Sequence, residues 1–228
     1  MKLFFSVSLL AALSAGAFAQ NYIFGNSGGA DNILSLTLSD STVYTVSTTQ
    51  NRITPGVNNQ GWYSTVSVSY EENDNTLTGD PDNGSFYRSF FSFDLSGLDL
   101  AGRTVTSASL QAATYNVVGS GTLSFFDVSA SPTSLVETKP LGSEEIFDDL
   151  GSGRFYGSYA YSEIDSGLDL TFGLNGLAIA DISSAAGSGW FSLGGASDSQ
   201  SQAVPEPASM AALGLGGLAL LRRRRKSA

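Results

Sequence analysis

The chain has no cysteine and no histidine in 228 residues. Without cysteine no disulfide can staple the fold, so stability outside the cytoplasm must come from core burial. Without histidine there is no His-ligated zinc, no Ser-His-Asp triad and no Cys-His pair. Positive charge is scarce as well. Six of the 11 basic residues (Lys2, Arg222 to Arg225 and Lys226) and one of the 21 acidic residues (Glu206) lie outside residues 20–203, which leaves 5 basic and 20 acidic, a formal charge of −15. A body so acidic is a poor partner for nucleic acid, which needs cationic neutralisation. Neutral sugars, cations or a basic partner remain open, and the charge favours solubility of the body.

What is present is concentrated first at the two ends. Met1 to Ala19 reads as a secretory signal peptide, residues 1–19: Lys2 is the positive start, Leu3 to Leu13 the apolar run, and Ala17-Phe18-Ala19 a small-x-small cleavage site, so that Gln20 begins the mature chain. The other end, residues 204–228, has three parts in order: Val204-Pro205-Glu206-Pro207, an uncharged run from Ala208 to Leu221, and the basic block Arg222, Arg223, Arg224, Arg225 and Lys226. Fourteen helical residues span only about 21 Å, short of the ~30 Å hydrocarbon core, so the run reaches across by thinning the bilayer or recruiting its flanks. The basic block stays cytoplasmic by the positive-inside rule, which places everything before Ala208 on the far side. Pro205 and Pro207 stop the helix from running back toward the body and hold Glu206 in an extended, accessible backbone.

This ordered triple resembles the PEP-CTERM sorting domain of Gram-negative bacteria. The resemblance implies recognition of Pro205, Glu206 and Pro207 by an exosortase, a membrane-embedded cysteine protease-transpeptidase, after signal peptidase has acted at the other end. It also implies association with exopolysaccharide and biofilm. The expected life history is export, anchoring in the inner membrane through the C-terminal helix, processing, and a final place at the cell surface or in the extracellular matrix.

Between the ends, residues 20–195 read as one all-β domain with residues 196–203 as a linker. Short runs rich in Val, Thr, Ser, Tyr and Phe alternate with Gly, Asn, Asp and Pro clusters. Strands are expected near Ile33–Leu38, Thr42–Thr48, Trp62–Tyr70, Phe86–Leu95, Thr104–Tyr115, Thr122–Val128, Phe155–Tyr161, Leu168–Leu174 and Trp190–Leu193. Two short helices are expected: Ser143 to Leu150, capped by Ser143, and Asn175 to Ala186, capped by Asn175 with Leu177, Ala178, Ile182 and Ala185 inward. The architecture implied is an antiparallel two-layer β-sandwich, jelly-roll-like. In the central strand Tyr87, Phe91, Phe93 and Leu95 share the core face, and Arg88, Phe90, Ser92 and Asp94 the other. The pattern Arg88-x-Phe90-x-x-Phe93-Asp94-Leu95-Ser96-Gly97-Leu98, then Gly102-x-x-Val105-x-Ser107-Ala108-x-Leu110, resembles uncharacterised PEP-CTERM ectodomains. It is also similar to the DNRLRE-type extracellular sandwich, a module linked to polysaccharide binding. The first group often carries a closing strand before its sorting motif, and none is expected here.

Three constellations could carry chemistry. Asp80, Asp82 and Asn83 put hard oxygens in a tight turn that could take calcium; the alternative is a solvated loop. Otherwise no cofactor is implied. Glu144, Glu145, Asp148 and Asp149 could pair for glycoside hydrolysis, but on a short helix they read as solvated charges, and no catalytic role is expected. Trp62, Tyr63, Tyr156, Tyr159 and Tyr161 could stack on sugars, or could be core. The leading reading is a structural or interaction protein of the surface or polymer matrix. A carbohydrate-binding module is the alternative and a hydrolase the last choice.

Overall fold

A computed structural model describes residues 20–25, 32–65, 75–81, 84–137 and 144–198. The signal segment, the sorting segment, Asp82, Asn83, Ser143 and the expected continuation of a strand to Tyr70 lie outside the described residues.

Eleven strands are described, and every pairing is antiparallel: β1 (Asn21–Gly25), β2 (Ile33–Leu38), β3 (Val43–Ser47), β4 (Gln60–Ser64), β5 (Thr76–Asp80), β6 (Tyr87–Asp94), β7 (Val105–Val118), β8 (Ser120–Asp127), β9 (Phe155–Ser162), β10 (Asp169–Leu174) and β11 (Trp190–Ser197). Three short helices accompany them: α1 (Pro132–Glu137), α2 (Glu144–Asp149) and α3 (Gly176–Ala185). The all-β expectation holds, and the strands form one curled antiparallel sheet that closes over itself. The sheet runs β3-β2-β7-β1-β5-β6-β11-β8-β9, with β10 added to β7 and β4 to β6.

The 14-residue β7 is the corner of the curl. β2 and β10 pair with it from Val105 to Ala113, and β1 takes over from Thr114 to Val118, so one strand serves both layers. Period-2 alternation explains which faces meet. In β2, Leu34, Leu36 and Leu38 are buried while Ile33, Ser35 and Thr37 are only partly so; in β10, Leu170, Phe172 and Leu174 are buried between exposed neighbours. Phe172 meets Phe125 of β8 at 5.0 Å and Tyr159 of β9 at 5.1 Å, ring centroid to centroid, which is one layer touching the other.

Phe91, Phe93 and Leu95 lie in the main core, as expected. Tyr87 is buried too, edge-on to Trp62 at 5.0 Å. Phe90, expected on the other face, is not at the surface: with Tyr63, Leu135, Phe147 and Leu150 it makes a second core under α1 and α2. Tyr63 locks this layer by donating its hydroxyl to the Leu135 carbonyl at 2.8 Å.

Three expectations need correction. The sequence pattern does not show β1, β5 or α1. β1 and β5 have five residues each, and β5 buries Thr76 and Thr78 rather than apolar residues. Leu177 is 49% exposed, because the Asn175 carboxamide caps the Leu177 and Ala178 amides and fixes a helix phase that turns only Ala178 and Ile182 fully inward. The last strand does not stop at Leu193. It runs to Ser197 between β6 and β8. Gly194 and Gly195 read as a strand end in sequence, yet the Leu150 backbone lies where a Gly194 Cβ would be, so the close approach demands glycine. Gly194→Ala is expected to lower the thermal midpoint sharply, because backbone cannot yield as a side chain can. A midpoint within a degree or two of wild type would show that the second layer is not packed this way.

Candidate functional site

The aromatic residues that could have made a sugar platform are mostly core. Trp62, Tyr63, Tyr156 and Tyr161 are at most 9% exposed, and Tyr159 is partly buried against Phe172. Their hydroxyls are engaged inside: Tyr156 donates to Asp181 at 2.6 Å, Tyr159 donates to Asp165 at 3.1 Å, and Tyr161 bonds Ser197 at 2.9 Å. The paired carboxylates of α2 are also put to structural use. Asp149 accepts from the Ser129 and Ala130 amides at 2.8 and 2.9 Å, and Asp148 lies 3.8 Å from the Arg88 guanidinium. Glu144 and Glu145 are exposed in the first turn, where negative charge suits the helix dipole. Asp80 ends β5 opposite Asn21; its proposed co-ligands Asp82 and Asn83 are outside the described residues. No group of three or more acidic, His or Cys residues suited to a metal occurs among the described residues.

The structure instead gathers residues that sequence spacing did not. A cleft of about 350 Å³ opens on the outer face of the sheet, lined by Arg88 of β6, Ser124 and Phe126 of β8, Gly151, and Ala196, Ser197 and Asp198 at the end of β11. Three strands distant in sequence supply it, so no local motif could have shown it. Arg88 is fixed at its edge. The guanidinium sits 4.2 Å over the Phe147 ring and donates to the Phe147 carbonyl at 2.7 Å. Burial lowers its pKa and Asp148 opposes that shift. A Cβ at Gly151 would strike this guanidinium, so glycine there is the condition for Arg88 to lie flat. Across the cleft Asp198 accepts the Thr122 amide at 2.8 Å, which aims its carboxylate along the β8 edge. Phe126 pairs edge-on with Phe155, which is 45% exposed.

The titratable network is structural. Asp94 is held below its ordinary 3.8: burial pushes it up, but the Ser96 amide and the Asn51 carboxamide outweigh that. A carboxyl lowered by folding stabilises the fold above its unfolded value, and that stability is lost as pH falls through the folded value. Tyr156 behaves in the opposite sense. Burial first, then Asp181, raises it above 10.0, so its contribution is present below that value and lost as pH rises through the raised one. With no histidine in the chain, the thermal midpoint should be flat between about pH 5 and 9, falling below about 4 and above about 10. A pH titration of the midpoint checks this, and a step between about pH 5 and 8 would contradict it.

Residues 203–226 match the PEP-CTERM protein-sorting motif. The chain matches no curated protein and no solved structure. The motif marks an exosortase-targeted surface protein, exported and anchored in the membrane before exosortase cleavage.

Proposed function

We propose that this carrier of a PEP-CTERM sorting motif is a non-catalytic structural or interaction protein of the extracellular polymer matrix, freed from its anchor by exosortase. The observation that carries the reading is the direct succession of a folded β-domain and the motif: β11 ends at Ser197, and the motif begins at residue 203. The domain needs no disulfide or His-ligated metal, and its carboxylates near α2 serve helix ends and loops. Signal peptidase would cut after Ala19, which leaves Gln20 one residue before β1. The basic block Arg222 to Lys226 would hold the unprocessed chain by its cytoplasmic end. Replacing Arg222 to Arg225 with Ser should therefore let full-length protein escape, as read by immunoblots of fractionated cells. Undiminished retention would remove the basic block from the mechanism.

The outer cleft favours a second role, binding of neutral saccharide. Its volume lies in the range of small-ligand sites, and its lining brings an aromatic edge, a cation, a carboxylate and the Ser124 side chain together. Phe126→Ala should abolish retention on neutral exopolysaccharide and lower the thermal midpoint only modestly, since Phe126 is partly buried and loses chiefly its contact with Phe155. Equal retention of wild type and variant would leave the structural role alone.

A further inference from the structure

Both ends of the domain come together at one pole. Asn21 receives the Ser120 amide on its side chain, and Asp198 receives the Thr122 amide, so the two ends flank the β7–β8 hairpin at Gly119. Asp80 pairs with Asn21 there, and Glu163 accepts the Gly119 amide. β11 points its Ser197 end toward this pole and its Trp190 end toward the opposite one, where Trp190 pairs with Asp94. Eight strand residues put roughly 26 Å between those ends.

Two further facts turn this into an orientation. β11 is an interior strand, held by β6 on one side and β8 on the other, so the sheet cannot be complete until the chain through Ser197 is outside the membrane. From Asp198 to Pro205 is then seven residues, at most about 25 Å even when fully extended. A finished domain therefore keeps this pole nearest to whatever binds Pro205-Glu206-Pro207.

The pole's flank is suited to contact. Ile164 is 84% exposed, Tyr115 64% and Leu168 49%, three of the six large apolar residues exposed among those described. The turn that carries Ile164 and Leu168 is tied to β7 at the residue before Tyr115: Thr114 donates to the Asp165 and Leu168 carbonyls at 2.6 and 2.9 Å. Carboxylates of Asp80, Glu163 and Asp198 share the pole, and this disfavours an anionic lipid surface and favours a protein partner.

We infer that the hairpin pole, with Ile164, Leu168 and Tyr115, is the surface that the processing enzyme meets while the chain is anchored. The inference rests on the exosortase reading above and adds which face of the folded domain is presented. The opposite pole, with the loop of Ser96 to Ala101, faces outward.

The absence of cysteine makes the test direct. A photo-crosslinker is placed on full-length chains carrying Ser120→Cys at the pole or Ser188→Cys at the far end, both exposed positions. The chains are expressed with a catalytically inactive exosortase, so that none is cut. Crosslinks to the enzyme are expected from Ser120→Cys and not from Ser188→Cys. Crosslinks from Ser188→Cys alone or from both, or from Ser120→Cys to lipid alone, overturn the inference while leaving exosortase processing intact. Failure of the membrane fraction to retain either chain overturns both. In a second measurement with active enzyme, deleting residues 199–202 should abolish processing by drawing the folded pole onto the motif. Four Gly/Ser residues in their place should restore it. Normal processing of the deletion would overturn the proposed encounter.

Discussion

Phe93→Ala should lower the unfolding free energy by about 3–5 kcal/mol. The ring is fully buried near the C-terminal end of β6, opposite Phe191 of β11, with the main core over it. β11 is paired with β6 at this point and the main core covers the ring, so the site cannot collapse to fill the space, and the cavity cost adds to the lost transfer energy. For a domain with a typical margin of about 5–15 kcal/mol this is a large fraction. The internal control is Leu177→Ala. Half of that side chain is already in water, so its cost should stay below about 1 kcal/mol. Urea unfolding of the two variants measures the difference. Equal small values would mean that the Phe93 face is not the core face.

Glu206→Gln should leave export and membrane insertion intact and abolish processing, so that full-length protein accumulates in the inner membrane. Glu206 is the only charged residue between Asp198 and Arg222, which makes it the natural handle for specificity. Pro205 and Pro207 fix an extended backbone around it, so an enzyme can bind it with little ordering cost. Gln keeps the size and the backbone and removes only the charge. Anchoring depends on the apolar run and the basic block, which the substitution does not touch. Normal trimming of Glu206→Gln would reduce the motif to a spacer before an anchor.

The parts of this structure legible from sequence are those that local chemistry dictates. Ile33–Leu38 and Leu168–Leu174 declared themselves by alternation, and Asn175 declared the start of α3 by its capping carboxamide. What could not be read depends on neighbours far along the chain. Phe90 and Phe93 are both aromatic residues of one strand, and nothing local says that α1 and α2 cover the Phe90 side with a second core. Gly194 and Gly195 look like a strand end because their reasons, the approach of Leu150 to the first and of Ser89 to the second, lie more than forty residues earlier. The same holds for the cleft: Arg88, Ser124, Phe126 and Asp198 meet only because β8 and β11 pair in one register. β1 and β5 are short, and β5 presents buried threonines where a strand search looks for apolar side chains.

The most direct test of exosortase-dependent release is the intact mass of the wild-type chain from cells with and without the enzyme. With it, the chain recovered outside the inner membrane should begin at Gln20 and end within or beside the Pro205-Glu206-Pro207 segment, without the basic block. Without it, the chain should keep Arg222 to Lys226 and remain in the inner membrane. The same trimmed mass in both strains would contradict the sorting mechanism.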